Sequence, residues 1–119
     1  MARVSDGFIM EETSRDETSR TFTARALASA PFFQGHFPGN PVLPGVAQLS
    51  ELALPLARAA WPELPALRRV TRLKFHRFAR PGEDLTVRVA RRAPGRVEFS
   101  ISAGDAPVSA GAMDFGDLP

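Results

Sequence analysis

Between Phe32 and Glu51 the chain reads Phe-Phe-Gln-Gly-His-Phe-Pro-Gly-Asn-Pro-Val-Leu-Pro-Gly-Val-Ala-Gln-Leu-Ser-Glu, and no other run constrains the fold as strongly. Three prolines and three glycines crowd around His36, one of only two histidines. Proline locks φ and glycine opens conformations that other residues avoid, so this loop is suited to holding a side chain still. After Pro44 the punctuation stops and a helical pattern begins, which makes Gly45 the opening of a helix whose first N–H groups lack intrahelical partners. A fixed imidazole facing those donors could move a proton while they polarise a carbonyl. The plainer alternative is a tight connection in which His36 is an ordinary loop residue.

The helix is expected from about Gly45 to Trp61, with a stripe of Val46, Leu49, Ala53, Leu56 and Ala60. It is apolar around much of its circumference, which suits a helix wrapped by a sheet. Pro62 and Pro65 stop it. On either side the period changes to two. Phe8 to Thr13 and Thr18 to Leu27 read as a hairpin, with Phe22, Ala24 and Ala26 inward and Thr21, Thr23 and Arg25 outward. The echo Glu12-Thr13-Ser14-Arg15 and Glu17-Thr18-Ser19-Arg20 is too short for a structural repeat and reads as matched charge across the hairpin.

A strand from Arg69 to Arg77 is expected to turn Thr71, Leu73 and Phe75 inward and the basic or titratable Arg72, Lys74 and His76 outward. Leu85, Val87 and Val89 continue the alternation. A turn at Ala93-Pro94-Gly95-Arg96 returns it through Val97, Phe99 and Ile101, and another at Gly104-Asp105-Ala106-Pro107 leads to a last strand from Val108 to Phe115. Two strands, a helix and then several antiparallel strands define an α+β fold, an antiparallel sheet wrapped around one central helix.

At 119 residues the chain is one domain, spanning 1–119, with enough length for a real core. The absence of cysteine excludes disulfides and thiolate metal sites. Two separated histidines without an HExxH helix give no metal site, and no phosphate or dinucleotide motif implies a cofactor. The formal charge of +2 gives no reason to expect nucleic acid. Neither a membrane-spanning run nor a signal-peptide pattern is present, so a cytoplasmic protein is expected.

Gly35-His36-Phe37-Pro38-Gly39-Asn40-Pro41-Val42-Leu43-Pro44-Gly45-Val46 resembles the active-site segment of the hot-dog-fold 3-hydroxyacyl acyl-carrier-protein dehydratases of fatty-acid synthesis. Lys74 to Glu83, ending in Pro-Gly-Glu, is similar to that family's later strand and turn, and residues 8 to 115 can be laid along the fold. The Pro-Gly-Val-Ala-Gln-Leu run is most similar to dehydratase-like proteins of aryl-polyene-type clusters. The resemblance implies that His36 takes a proton from Cα of a 3-hydroxyacyl thioester and that the Val42 carbonyl orients its ring. It further implies that the Gly45 N–H binds the thioester oxygen, with Phe37 also contacting substrate. A carboxylate on the partner subunit's helix assists departure of the hydroxyl in the family.

Where the family has that carboxylate this chain has Ser50, with Glu51 next to it. On a regular helix one residue turns a side chain by about 100°, which sets Glu51 on a different side from Ser50, closer to Arg58. Recruiting Glu51 requires the helix to be rotated or deformed, and Pro55 is placed to deform it, because it removes the bond to the Glu51 carbonyl.

The resemblance therefore implies dehydration of a 3-hydroxyacyl group carried on the phosphopantetheine arm of an acyl carrier protein, without metal or redox cofactor, in a homodimer or heterodimer. Ser50 or Glu51 would handle the hydroxyl. The alternatives are a catalytically impaired partner or acyl-binding subunit of a hot-dog heterodimer, and thioester hydrolysis on the same scaffold. Arg68, Arg72, Lys74 and Arg80 are either a solvated face that discourages edge-to-edge pairing or a dock for an acidic carrier. His76 is expected to belong to that same surface.

Overall fold

Alternating strands that bury one face need something apolar to cover, and here it is the central helix. The computed structural model describes residues 2–5, 8–26, 45–77, 79–80 and 82–116. Strands β1 (Ala2–Ser5), β2 (Phe8–Arg15) and β3 (Ser19–Ala26) precede the helix. After it come β4 (Leu67–Phe75), β5 (Asp84–Ala93), β6 (Arg96–Ala103) and β7 (Ala106–Phe115). All seven join one antiparallel sheet in the order β1-β2-β3-β5-β6-β7-β4. Its core gathers Phe8, Phe22, Leu85, Val87, Val89, Val97, Phe99 and Ile101 from the strands against Leu52, Ala53, Leu56 and Ala57 of the helix. This is the expected hot-dog arrangement.

The expected hairpin is β2 and β3, with Phe22, Ala24 and Ala26 buried and Thr23 and Arg25 exposed. Asp16 makes its turn: one carboxylate oxygen accepts the Thr18 and Ser19 N–H groups at 2.9 and 2.8 Å. Those bonds, that to Thr18 foremost, hold the Asp16 carboxyl below the usual range. The charge echo resolves into Glu12 reaching Arg15 at 2.6 Å and Arg20 across the hairpin at 3.7 Å. The strand β1, pairing Ala2–Ser5 with β2, was not anticipated.

The helix stops as expected. Trp61 is buried, its N–H donates to the Ala57 carbonyl at 2.9 Å, and the guanidinium carbons of Arg20 and Arg91 lie 5.3 and 5.9 Å from its ring centroid. Arg58, expected on the side of Glu51, donates instead to the Leu64 and Pro65 carbonyls, both at 3.2 Å, and lies over Phe115.

The expected faces of β4 are corrected by the structure. Leu73 and Phe75, assigned inward, are 41% and 49% exposed. Between Thr71↔Ala112 and Lys74↔Ala110 the strand carries one residue more than β7, and Arg72 within that bulge has φ +54. A bulge breaks strict alternation, so faces counted by twos through it come out wrong.

Candidate functional site

Gly45 begins the helix, and its lack of a side chain is a packing requirement. A Cβ there would stand 2.7 Å from Cε1 and Cζ of the Phe75 ring, so the end of β4 lies directly against the first helical turn. Helical hydrogen bonding then runs through an α-turn at Gly45–Ala47, a π-helical segment at Gln48–Ala53 and α-helix at Leu54–Ala60. The Leu54 N–H donates to the Leu49 carbonyl, five residues back. Pro55 explains this widening. It has no N–H for the Glu51 carbonyl and its ring would crowd that group in an α-register, whereas the π-register relieves the conflict. The deformation that the sequence places at Pro55 is thus present.

The π segment shifts the buried stripe. Ala53 and Leu56 are buried as expected and Leu49 and Ala60 are partly buried, but the face is centred on Gln48, Leu52, Leu56 and Ala57. Ser50 and Glu51 are both exposed on the side away from this chain's core. More residues per turn means less rotation per residue, so the 100° separation of a regular helix overstates the angle between them. Gln48 was missed as a candidate. A polar side chain one turn beyond Gly45 is buried there, and only its place in the Pro-Gly-Val-Ala-Gln-Leu run marked it beforehand.

His36, Phe37 and Val42 lie outside the described residues. The elements that bracket their loop are described. At its start, Ala26 closes β3 and its carbonyl accepts the Gly82 N–H at 2.8 Å. Gly82 has φ +78, which glycine adopts without steric cost, and the next residue, Glu83, pairs with Arg77. That pairing holds the Glu83 carboxyl below its ordinary range. Gly82 and Glu83 thereby tie the end of β3 to the strands that follow the helix. Of the outward basic residues, Arg72, Lys74 and Arg80 are exposed, as is His76. No cluster that could hold a metal ion occurs among the described residues. Nor is any described helix long and apolar enough to cross a membrane.

One central helix packed against a seven-stranded antiparallel sheet, entered at a glycine, defines a hot-dog protein. The chain belongs to the ApeI-like family, described as ApeI dehydratase, whose model matches residues 11–112. It is similar to the 3-hydroxyacyl acyl-carrier-protein dehydratase FabZ of Oenococcus oeni, 45% identical over 64 residues covering 49% of this chain and 46% of that protein. The FabZ of Levilactobacillus brevis is 34% identical over 97 residues, covering 73% of this chain and 66% of that one. The chain thus spans about half to two thirds of these curated relatives. Among solved structures, the dehydratase heterocomplex ApeI:P from Xenorhabdus doucetiae superposes with a TM-score of 0.80 at 19% identity, covering 90% of this chain and 95% of that one. An uncharacterized protein from Erwinia carotovora subsp. atroseptica superposes with a TM-score of 0.69 at 24% identity, covering 98% and 95%. At these identities the superpositions show the fold alone.

Proposed function

We propose that this chain is one subunit of a heteromeric hot-dog dehydratase acting on 3-hydroxyacyl thioesters, and that it relies on a different hot-dog chain for a complete site. In this reading His36 takes the proton from Cα and the Gly45 N–H supports the developing charge on the thioester oxygen. Val42 and Phe37 hold the imidazole and the acyl group. The hydroxyl leaves C3 as water with a proton from a carboxylate on the partner's helix, which gives the trans-2-enoyl thioester. The observation that carries the reading is on the helix: Ser50 stands where the family has its acid, and both Ser50 and Glu51 face away from this chain's own core. Two copies would therefore supply two histidines and no carboxylate at that position. A different subunit with its carboxylate intact would complete the site around His36. The neighbour from Xenorhabdus doucetiae is itself a dehydratase heterocomplex, which supports a subunit of this kind. The acyl group would arrive on the phosphopantetheine arm of an acyl carrier protein.

The test is to incubate the purified chain, alone and with a second hot-dog subunit, with 3-hydroxyacyl and 2-enoyl thioesters. Inactivity alone, with interconversion on adding the second subunit, is expected. Interconversion by the chain alone would instead make it a self-sufficient dehydratase with Glu51 or Ser50 handling the hydroxyl, and release of free thiol would make it a thioesterase.

A further inference from the structure

We propose that Glu83 is a positioning residue for His36, acting through its pair with Arg77 to fix the link that braces both ends of the His36 loop. The inference rests on the reading of His36 as the base and names a residue outside the loop on which its placement depends. Residues 27–44 leave β3 at Ala26 and enter the helix at Gly45. Both of those ends meet the chain between β4 and β5. At the end of β4 the Phe75 ring lies against Gly45, 2.7 Å from where a Cβ would stand. Just before β5 the Gly82 N–H donates to the Ala26 carbonyl at 2.8 Å. Whatever fixes the link between Phe75 and Gly82 therefore fixes how the two ends of the loop stand to each other.

On the β4 side of the link the His76 and Arg77 N–H groups both donate to the Val108 carbonyl, at 2.8 and 3.4 Å. Glu83 joins that side to the other. Its Oε1 accepts Arg77 Nη1 and the Arg80 N–H, each at 3.3 Å, and its Oε2 accepts Arg77 Nη2. Its own N–H donates to the Arg80 carbonyl at 3.3 Å. One residue thus ties together positions 77, 80 and 83, and a two-point arginine–carboxylate contact sets direction as well as distance. The Arg77 and Glu83 side chains are 35% and 27% exposed, a setting in which an ion pair adds little to global stability. Its contribution is to local geometry instead. That matters at a base, since a displacement of about 1 Å caused by a change far from the chemistry costs about a hundredfold in rate.

The test compares the full chain, isotope-labelled at histidine, with Glu83→Gln, which keeps an oxygen for the Arg80 N–H and loses the charged two-point contact. The His36 imidazole signals, assigned by their loss in His36→Ala, are expected to shift or broaden while the urea midpoint stays unchanged. In the heteromer with a second hot-dog subunit, kcat should fall by about tenfold to a hundredfold with KM within about twofold of wild type. Arg77→Gln should reproduce these changes. Arg77→Gln/Glu83→Gln should be no worse than either single variant, because both act through one contact. An unchanged His36 signal, an unchanged kcat, or a loss expressed wholly in KM would overturn the proposal. Should Glu83→Gln not fold, Arg77→Gln carries the same test. If the wild-type heteromer shows no turnover, the dehydratase reading fails, and the imidazole signals still decide whether Glu83 positions His36.

Discussion

The effect of replacing Gly45 by alanine is expected to depend on its background, because the added methyl meets the Phe75 ring. The Cβ would lie 2.7 Å from two carbons of the Phe75 ring and 3.0 Å from a third. Carbon contacts settle at about 3.5–4.0 Å, so the ring must retreat by roughly 1 Å. Phe75 is half exposed and can swing outward, at about 0.5–1.5 kcal/mol for a side chain held some 30° off its rotamer. Against this, alanine stabilises a helical position by about 0.4–1 kcal/mol through the unfolded state, and Gly45 is not among the glycines with positive φ. In the wild-type background the two effects nearly cancel, giving a net change within about 1 kcal/mol. In a Phe75→Ala background the clash is gone, and Gly45→Ala should stabilise by about 0.4–1 kcal/mol. Urea unfolding of the four proteins at one fixed concentration, with unchanged m-values, measures the coupling as a double-mutant cycle. An equal effect of Gly45→Ala in both backgrounds would show that Phe75 does not pack on the helix start.

Asp114 accepts Arg69 Nε at 2.7 Å and Arg96 Nη1 at 2.9 Å, and these partners, Arg69 foremost, hold its carboxyl below the usual range. A depressed folded pKa contributes stability that is present above the ordinary aspartate value of about 3.9 and lost as pH falls through the folded value. Asp114→Asn should therefore cost about 1–2 kcal/mol at neutral pH, discounted for the exposure of both arginines, and flatten the acid limb of stability measured by denaturant titration below about pH 4. Ser50→Asp should raise dehydratase turnover of the chain alone by about a hundredfold to ten-thousandfold if residue 50 faces the hydroxyl, while Glu51→Gln changes it little; loss of turnover in Glu51→Gln would identify Glu51 as the acid. His36→Ala should abolish turnover of the active heteromer with unchanged urea unfolding, and undiminished turnover in a folded variant would remove His36 from the mechanism.

Much of the fold was legible because alternation reports burial directly wherever a strand is paired on both sides and covers the helix. Phe22, Ala24 and Ala26, then Leu85, Val87 and Val89, then Val97, Phe99 and Ile101, are all buried as their period of two requires. The helix, its start at Gly45 and its stop before Pro62 were equally plain, since glycine and proline act locally through φ and the missing N–H. The family was carried by the Gly-His-Phe-Pro-Gly segment and by the match over residues 11–112. Pro55 announced a disturbance, but its form, a π segment that leaves both Ser50 and Glu51 outward, depended on how the helix seats Gln48, Leu52 and Leu56 in the sheet. The faces of β4 were beyond a local rule, because a strand with one extra residue between Thr71 and Lys74, at the end of the described sheet, is shaped by its pairing with β7 and by the contact of Phe75 with Gly45. Which strands adjoin across the sheet, β3 with β5 and β4 beyond β7, is likewise a choice among long-range pairings, and only the packed core selects one.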